Sequence, residues 1–249
     1  MKNMYKFLLA MPIAFILLQA SPAQAQLRFG LRAGLNLSNM SFNQPTFTPS
    51  IIPGFHAGAM MEYSPFSDFA IELGALYSTK GTSIEQSQDI PFSGFSYKIT
   101  QKAEFSPSYL EIPLNFVYRH EIRSMTLMFY VGPYIGLGMG GNAAISYTAT
   151  SLPSGITLKA MGLNDTSGTL KFGSDSTADF TSMELGVNIG AGTEFNNFQV
   201  RAQYGLGLQD VVPHKTIEGK FGVIGISVGY MFNRIGGHHA HHSHHRSIF

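Results

Sequence analysis

Apolar and polar residues alternate with a period of two along much of the chain, most regularly between Met183 and Gln209. On one side of this stretch lie Leu185, Val187, Ile189, Ala191, Thr193 and Phe195, followed by Phe198, Val200, Ala202, Tyr204, Leu206 and Leu208. Successive side chains of a strand point to opposite sides of a sheet, so the period predicts two strands. The dipeptide Asn196-Asn197 between them predicts a tight turn, because Asn tolerates positive φ.

The opposite side of this hairpin mixes glycine with charge, including Glu184, Glu194 and Arg201. A soluble β-sandwich would bury its apolar side and expose its charged side. Many glycines beside charged residues instead suit a crowded polar interior. Strands of about ten residues, apolar outside and polar inside, are the signature of a transmembrane β-barrel.

The same alternation predicts eight strands along the chain. They are residues 27–37, 54–63, 69–79, 109–119 and 125–139, the two strands of the hairpin, and residues 220–232. The connections alternate between long and short, as in barrels with long extracellular loops and short periplasmic turns. The sequence therefore predicts an all-β fold, an eight-stranded antiparallel up-and-down transmembrane β-barrel.

Two features modify this prediction. The loop before Pro107 alternates again over residues 95–105, so the third and fourth strands are expected to project beyond the bilayer as a ribbon. Pro113 and Pro133 fall inside the fourth and fifth strands. Proline cannot donate a hydrogen bond to a strand ladder, so both prolines predict β-bulges.

Residues 1–25 have the features of a secretory signal peptide. A basic start precedes an apolar core over residues 7–18, and Ala23-Gln24-Ala25 fits an A-x-A cleavage site. The core is too short to cross a membrane as a helix, which needs about 20 residues. We expect cleavage near Ala25 and a barrel domain over residues 26–233.

A His-rich tail, residues 234–249, follows the predicted domain and is expected to be disordered. Dense imidazole groups bind zinc, nickel or copper. No carboxylate or cysteine in the tail completes a defined site, so we expect weak metal affinity and predict no metal site.

Composition supports an exported membrane protein. Charged residues make up 12% of the chain, well below the roughly one quarter typical of soluble domains. A net charge of +1 gives no reason to expect nucleic-acid binding, and the chain has no cysteine for a disulfide or a lipid anchor. We expect a monomeric barrel integral to a Gram-negative outer membrane and in contact with its lipid.

The predicted interior contains charged residues and one histidine at two depths. Toward the periplasmic end lie Arg28, Arg32, Glu62, Glu72, Arg119, Glu194 and Arg201, and toward the extracellular end lie His56, Glu111 and Glu184. An eight-stranded barrel is only wide enough to be filled by its own side chains. Buried charges must be paired, so these residues predict a structural polar network. A small gated pore or a ligand pocket is the alternative.

A catalytic interpretation would pair His56, as a base, with Glu111 or Glu184 as its orienting carboxylate. No recognisable serine motif accompanies these residues. The sequence therefore predicts no catalytic residue and no cofactor site.

Six sequence blocks within residues 27–232 also resemble a known family. In order they are LRFGLRAGLNLSNMSF, GFHAGAMMEYSP, IELGALYSTKG, YLEIPLNFVYRH, YVGPYIGLGMG and VRAQYGLGLQD. As an ordered set they resemble the PorT-like outer-membrane β-barrel family of the Bacteroidota, over almost the whole mature chain. The resemblance implies the barrel fold, an outer-membrane location and a link to protein secretion.

These predictions favour a non-enzymatic scaffold or interaction protein of the cell envelope. Its long loops or short turns would bind an envelope or secretion protein. The longest loop, residues 140–181, and the loop aromatic residues are the expected contact surface. The alternatives are a narrow barrel for transport or ligand uptake and, third, a surface lipid-modifying enzyme or protease.

Overall fold

The computed structural model describes residues 26–43, 49–149, 152, 156–175, 177–213 and 218–232. The predicted signal peptide and His-rich tail lie outside these residues, as do parts of the predicted loops. Within the described ranges, no helix has both the length and the apolar character needed to cross a membrane.

The described chain is an all-β fold with one short 3-10 helix, Leu158–Met161. The strands are β1 (Gln26–Phe42), β2 (Pro49–Ser50), β3 (Ile52–Ser64), β4 (Phe69–Thr79), β5 (Thr82–Phe92), β6 (Phe95–Ile122), β7 (Met125–Ala149), β8 (Thr166–Thr169), β9 (Met183–Phe195), β10 (Phe198–Gly207) and β11 (Gly219–Met231). Every pairing between these strands is antiparallel.

The longer strands pair in an order that returns to its start. The pairs are β1–β3, β3–β4, β4–β6, β6–β7, β7–β9, β9–β10, β10–β11 and β11–β1. We call these strands the ring. Outside it, β2 pairs with β5, β5 with the outer part of β6, and β8 with β7.

The two ends of the ring differ. At the short-turn end, β3–β4, β6–β7 and β9–β10 are joined by brief turns. At the long-loop end lie the remaining connections, together with β2, β5 and β8. The described residues therefore form eleven strands rather than the predicted eight, because β2, β5 and β8 form within predicted loops.

Several strands are longer than predicted. β4 has the predicted bounds, whereas β6 and β7 reach 28 and 25 residues. The additional length lies in segments predicted as loops, and in β6 the period-two alternation continues through residues 95–105. The predicted ribbon is present, since β5 pairs with residues 95–105 of β6 from Thr82↔Phe105 to Phe92↔Phe95.

The predicted bulges at Pro113 and Pro133 are wrong. β6 and β7 keep one register across both prolines, from Pro113↔Tyr134 to Phe116↔Val131. The register shifts between Ser108 and Tyr109, whose partners are Gly140 and Gly138. Gly140 has a φ of 146°, which favours glycine, so the backbone accommodates an extra residue there rather than at a proline.

The outer face of the ring is apolar and exposed. Leu35 is 70% exposed and Ile226 is 61% exposed. Aromatic pairs lie toward both ends: Phe69–Tyr118 with ring centroids 5.3 Å apart, Phe198–Tyr230 at 4.9 Å and Phe55–Tyr77 at 5.8 Å. An apolar outer band flanked by aromatic residues is typical of strands that face lipid.

The β9–β10 turn has the predicted geometry, because Asn196 and Asn197 have φ values of 45° and 71°. A two-residue turn with both residues at positive φ matches the twist of the strands it joins.

We expect Asn196→Val to lower the free energy of unfolding by roughly 1–2 kcal/mol, because a β-branched residue is strained in this conformation. Asn196→Gly is the control and should be close to wild type. Urea titration in lipid vesicles measures both, and a valine variant as stable as the glycine variant would contradict the turn assignment.

Candidate functional site

The interior side of the ring holds every charged residue and the histidine singled out from the sequence. All of these residues except Arg119 are buried, and the Arg119 side chain is 11% exposed. Their positions follow from alternation, since each occupies the strand face opposite the exposed apolar residues. They lie in three layers along the ring axis, with one histidine between the second and third layers.

The Glu62 layer lies nearest the short turns and comprises Arg28, Glu62, Arg119 and Glu194. Arg28 donates hydrogen bonds to Glu62 and to Glu194, each at 2.6 Å. Arg119 donates to the same two carboxylates at 3.0 and 2.9 Å. Gln199 adds a bond to Glu194 at 2.8 Å. Each carboxylate therefore lies between two guanidinium groups.

The Glu72 layer follows, with Arg32, Glu72 and Arg201. Arg201 donates two hydrogen bonds to Glu72, at 2.7 and 3.0 Å, and Arg32 donates one at 2.9 Å. Asn115 donates a further bond to this carboxylate at 3.1 Å. The Arg201 guanidinium also lies 5.0 Å from the centroid of the Tyr130 ring. Charge-assisted, two-point contacts of this kind are among the stronger hydrogen bonds in proteins.

His56 does not contact either glutamate that the catalytic interpretation paired with it. Its Nδ1 lies 2.8 Å from the Asn36 side-chain oxygen. The Asn36 amide donates in turn to Ser78 Oγ at 3.1 Å and to the Thr79 carbonyl at 3.0 Å. His56 therefore belongs to an interior hydrogen-bond chain, and the geometry provides no carboxylate to orient it as a base.

The Lys80 layer brings Glu111 and Glu184 together around a lysine. Lys80 Nζ lies 2.5 Å from Glu111 and 2.8 Å from Glu184, and Tyr134 donates to Glu184 at 2.6 Å. Aromatic rings surround the ammonium group, with centroids at 4.6 Å for Tyr134, 5.3 Å for Tyr109 and 5.9 Å for Phe221. The two predicted glutamates thus share one buried cation.

Sequence reasoning missed Lys80, although a signal was present. The alternation predicts a third strand that ends at Thr79, which places Lys80 in the following loop. The interior positions Glu72, Gly74, Leu76 and Ser78 continue with the same period to Lys80. Its backbone N–H also donates to the Pro107 carbonyl at 3.1 Å, which continues the β4–β6 pairing by one residue.

The layers carry opposite excess charge when all their groups are ionised. The Glu62 and Glu72 layers together contain four arginines and three glutamates. The Lys80 layer contains one lysine and two glutamates. Five cations therefore balance five carboxylates. The Glu62 layer, with two arginines and two glutamates, is neutral by itself, and the extra cation of the Glu72 layer is balanced by the extra carboxylate of the Lys80 layer.

An apolar cap, formed by Leu170, Phe172 and Phe180, covers the Lys80 layer at the long-loop end. Leu170 and Phe180 are buried in one cluster with Tyr109 and Phe221. The ring centroids of Phe180 and Phe221 are 6.0 Å apart, and those of Tyr109 and Phe172 are 5.6 Å apart. This part of the predicted 140–181 loop therefore packs inward.

The charged side chains of the interior have partners of opposite charge, and the apolar cap limits access to them from the long-loop end. Among the described residues, no group of three or more His, Asp or Glu side chains is arranged to hold a metal ion. The arrangement is that of a filled interior, in which ion pairs connect strands across the ring.

Comparison with known proteins yields one family. The family described as outer membrane protein beta-barrel domain matches residues 19–212, which is well over half of the chain. No curated protein matches the sequence significantly.

Solved structures give distant similarities. Ail, the attachment invasion locus protein of Yersinia pestis, is 15% identical with a TM-score of 0.35, over 82% of this chain and 98% of that one. Neisserial surface protein A is 14% identical with a TM-score of 0.37, over 82% and 97%. OprG from Pseudomonas aeruginosa is 14% identical with a TM-score of 0.27, over 84% and 95%.

Glu72 offers a direct test of the interior network. Glu72→Ala leaves Arg32 and Arg201 buried without their shared carboxylate, and removing one partner of a buried ion pair costs roughly 3–5 kcal/mol. We expect a loss of that size in the free energy of unfolding, measured by urea titration in lipid vesicles.

The matched control is Glu104→Ala, which removes the carboxylate of the exposed Lys102–Glu104 pair. Exposed pairs contribute little, so this variant should unfold like wild type. Equal losses in the free energy of unfolding for both variants would show that the interior ion pairs stabilise the fold no more than an exposed pair does.

Proposed function

The chain belongs to the outer membrane protein beta-barrel domain family, and from this premise we propose that it is a sealed, non-enzymatic barrel that binds another component of the cell envelope. We propose that the ring is an eight-stranded transmembrane barrel, with its short-turn end in the periplasm and its long-loop end outside the cell. The exposed apolar outer face supports insertion in lipid. Cleavage near Ala25 and a monomeric state are parts of the same proposal.

The filled interior is the observation that supports a sealed barrel. Three charged layers and the apolar cap follow one another along the axis, and Glu62, Glu72 and Glu184 are each 0% exposed. A ring of eight strands is just wide enough to be filled by side chains. An interior built in this way favours a stable wall over a transport path, so function is expected at the surface.

The sheet that continues beyond the ring supports a surface role. Residues 95–107 of β6 extend about 40 Å at roughly 3.3 Å per residue. Residues 95–105 pair with β5 on one side, and residues 99–107 pair with β7 on the other. Residues 85–89 of β5 are exposed, and Phe95 at the hairpin tip is 69% exposed. We call this projecting sheet the extension and propose it as the surface that binds the partner.

The extension coincides only in part with the contact surface expected from the sequence. The loop aromatic residue Phe95 is exposed at its tip, whereas other loop aromatic residues pack inward. Tyr97 is only 8% exposed, and Phe105 packs against the cluster that contains the apolar cap. A deletion of residues 140–181 would remove the cap residues Leu170, Phe172 and Phe180 together with any contact surface, so it would not test the surface alone. Exposed positions on β5 and at the hairpin tip give a cleaner experiment.

The ordered sequence blocks support a finer assignment, that the chain is PorT-like and that its partner is a secretion protein of the Bacteroidota envelope. A narrow transport or uptake barrel remains the runner-up. Steady single-channel conductance of the purified protein in a planar bilayer would favour that alternative over the sealed barrel.

Photo-crosslinking in native outer membranes tests the proposed surface. A photoreactive residue replaces Gln88 on β5 or Phe95 at the tip, both exposed. We expect a reproducible protein adduct from these positions, because they lie on the extension. Ile226, 61% exposed on the outer face of the ring, is the control and should yield lipid adducts only.

A third position, His120 at the short-turn end, separates two versions of the proposal. Protein adducts from His120 alone would indicate that the partner binds on the periplasmic side. If folded protein gives no protein adduct from any of these positions, the interaction role is wrong.

A further inference from the structure

The strand ladders of the ring are interrupted on both sides of β6, at neighbouring positions. Residues 74–75 of β4 have no paired residue on β6, where residues 112–113 lie opposite. Residues 132–133 of β7 have no paired residue on β6, where residues 114–115 lie opposite. The register is the same before and after each gap, so successive pairs are missing rather than displaced.

A proline accounts for each gap. Successive residues of an antiparallel strand direct their N–H and C=O groups to opposite neighbours, so Pro113 faces β4 and Leu114 faces β7. Pro113 has no N–H to donate to the Gly74 carbonyl, and Pro133 has none to donate to the Leu114 carbonyl. Strand β6 therefore lacks a ladder bond on each side within residues 112–115.

The missing bonds have more effect in a membrane than in water. Leu114 and Pro133 are exposed on the apolar outer face, where lipid supplies no donor for a free carbonyl. The β9–β10 ladder, by contrast, continues without a gap from Phe198↔Phe195 to Gly207↔Gly186. The wall is therefore less strongly paired along β6 than along β10.

Asn115 connects this part of β6 to the charged interior. Its side chain is buried, and its amide donates a hydrogen bond to Glu72 at 3.1 Å. Its Oδ1 atom has no hydrogen-bond partner among the described residues. One side-chain bond to the Glu72 layer thus helps to hold β6 in place where ladder bonds are missing.

We propose that the wall of the barrel opens locally and laterally at residues 112–115 of β6, which we call the seam. This inference rests on the membrane insertion proposed above. Local opening is easiest where the fewest hydrogen bonds must break, and the seam lacks bonds to both neighbouring strands. Because Leu114 faces lipid, separation of β6 from β7 exposes the interior beside Asn115 to hydrocarbon, while the apolar cap still covers the long-loop end.

Amide 15N relaxation dispersion of the protein in lipid nanodiscs measures this opening, because it detects exchange between microseconds and milliseconds. The amides of Leu114 and Asn115 report on the seam. The amides of Ala191 and Ala202, which pair in the uninterrupted β9–β10 ladder, are the internal control. We expect dispersion at the two seam amides and none at the control pair.

Three variants change the seam in known directions. Pro133→Ala supplies the N–H that the Leu114 carbonyl lacks, so it should lower the population of the open state about fivefold, the effect of one net hydrogen bond. Asn115→Ala removes the bond to Glu72 and should raise that population by at least about the same factor. Pro91→Ala is the matched control and should change nothing, because the β5–β6 ladder has no gap at Pro91.

Absence of dispersion at the seam amides, or an open population that Pro133→Ala leaves unchanged, would overturn the seam. An open population unaffected by Asn115→Ala would overturn the role of Asn115 in holding it closed. Nanodiscs containing a spin-labelled lipid broaden the amide signals of a spanning wall, so they report insertion separately. Broadening at Ala202 without dispersion at the seam would reject the seam and leave the barrel proposal intact, whereas absence of broadening would reject the membrane insertion itself.

Discussion

The interior of this barrel depends on one constraint. Each buried charge must be neutralised by a neighbouring side chain. Glu72 on β4 is shared by Arg32 on β1 and Arg201 on β10, and β10 is not a neighbour of β4 in the ring. Arg28 on β1 reaches Glu194 on β9 in the same way. Such pairs connect opposite walls, so they hold the cross-section as well as satisfying the charges. Removing one partner leaves an uncompensated ion that water reaches poorly.

The same constraint links the layers to the proposed surface role. The excess positive charge of the Glu72 layer is balanced by the excess negative charge around Lys80, so these two layers form one neutral unit. The apolar cap then covers the Lys80 layer with Leu170 and Phe180. An interior crossed by three layers of ion pairs is suited to rigidity. A rigid wall in the membrane is a suitable base for the extension, in which β5, β6 and β7 continue as a sheet beyond the ring.

Local periodicity accounts for what could be predicted from the sequence. Alternation identifies the strands of the ring and the interior arginines and glutamates, because the direction of a side chain in a strand depends only on position parity. The end of a strand depends on its pairing with neighbouring strands, which local periodicity does not report. The predicted third strand ends at Thr79, so Lys80, the next residue, falls outside the prediction. The extension is rich in polar residues, so the sequence predicts loops where β6 and β7 continue as strands. The cap could not be foreseen, because Leu170 and Phe180 contact residues distant in sequence, such as Tyr109.

Thiol accessibility inside the folded barrel tests the sealed interior most directly, and the absence of cysteine in the chain makes a single reporter practical. Ser78→Cys places a thiol at an interior position that is 1% exposed, between the Glu72 and Lys80 layers. Ser87→Cys places one at an exposed position of the extension. A small water-soluble maleimide should label the Ser87 variant rapidly and the Ser78 variant only after unfolding in urea. Comparable labelling rates in the folded, membrane-inserted protein would reveal a water path and contradict the sealed barrel.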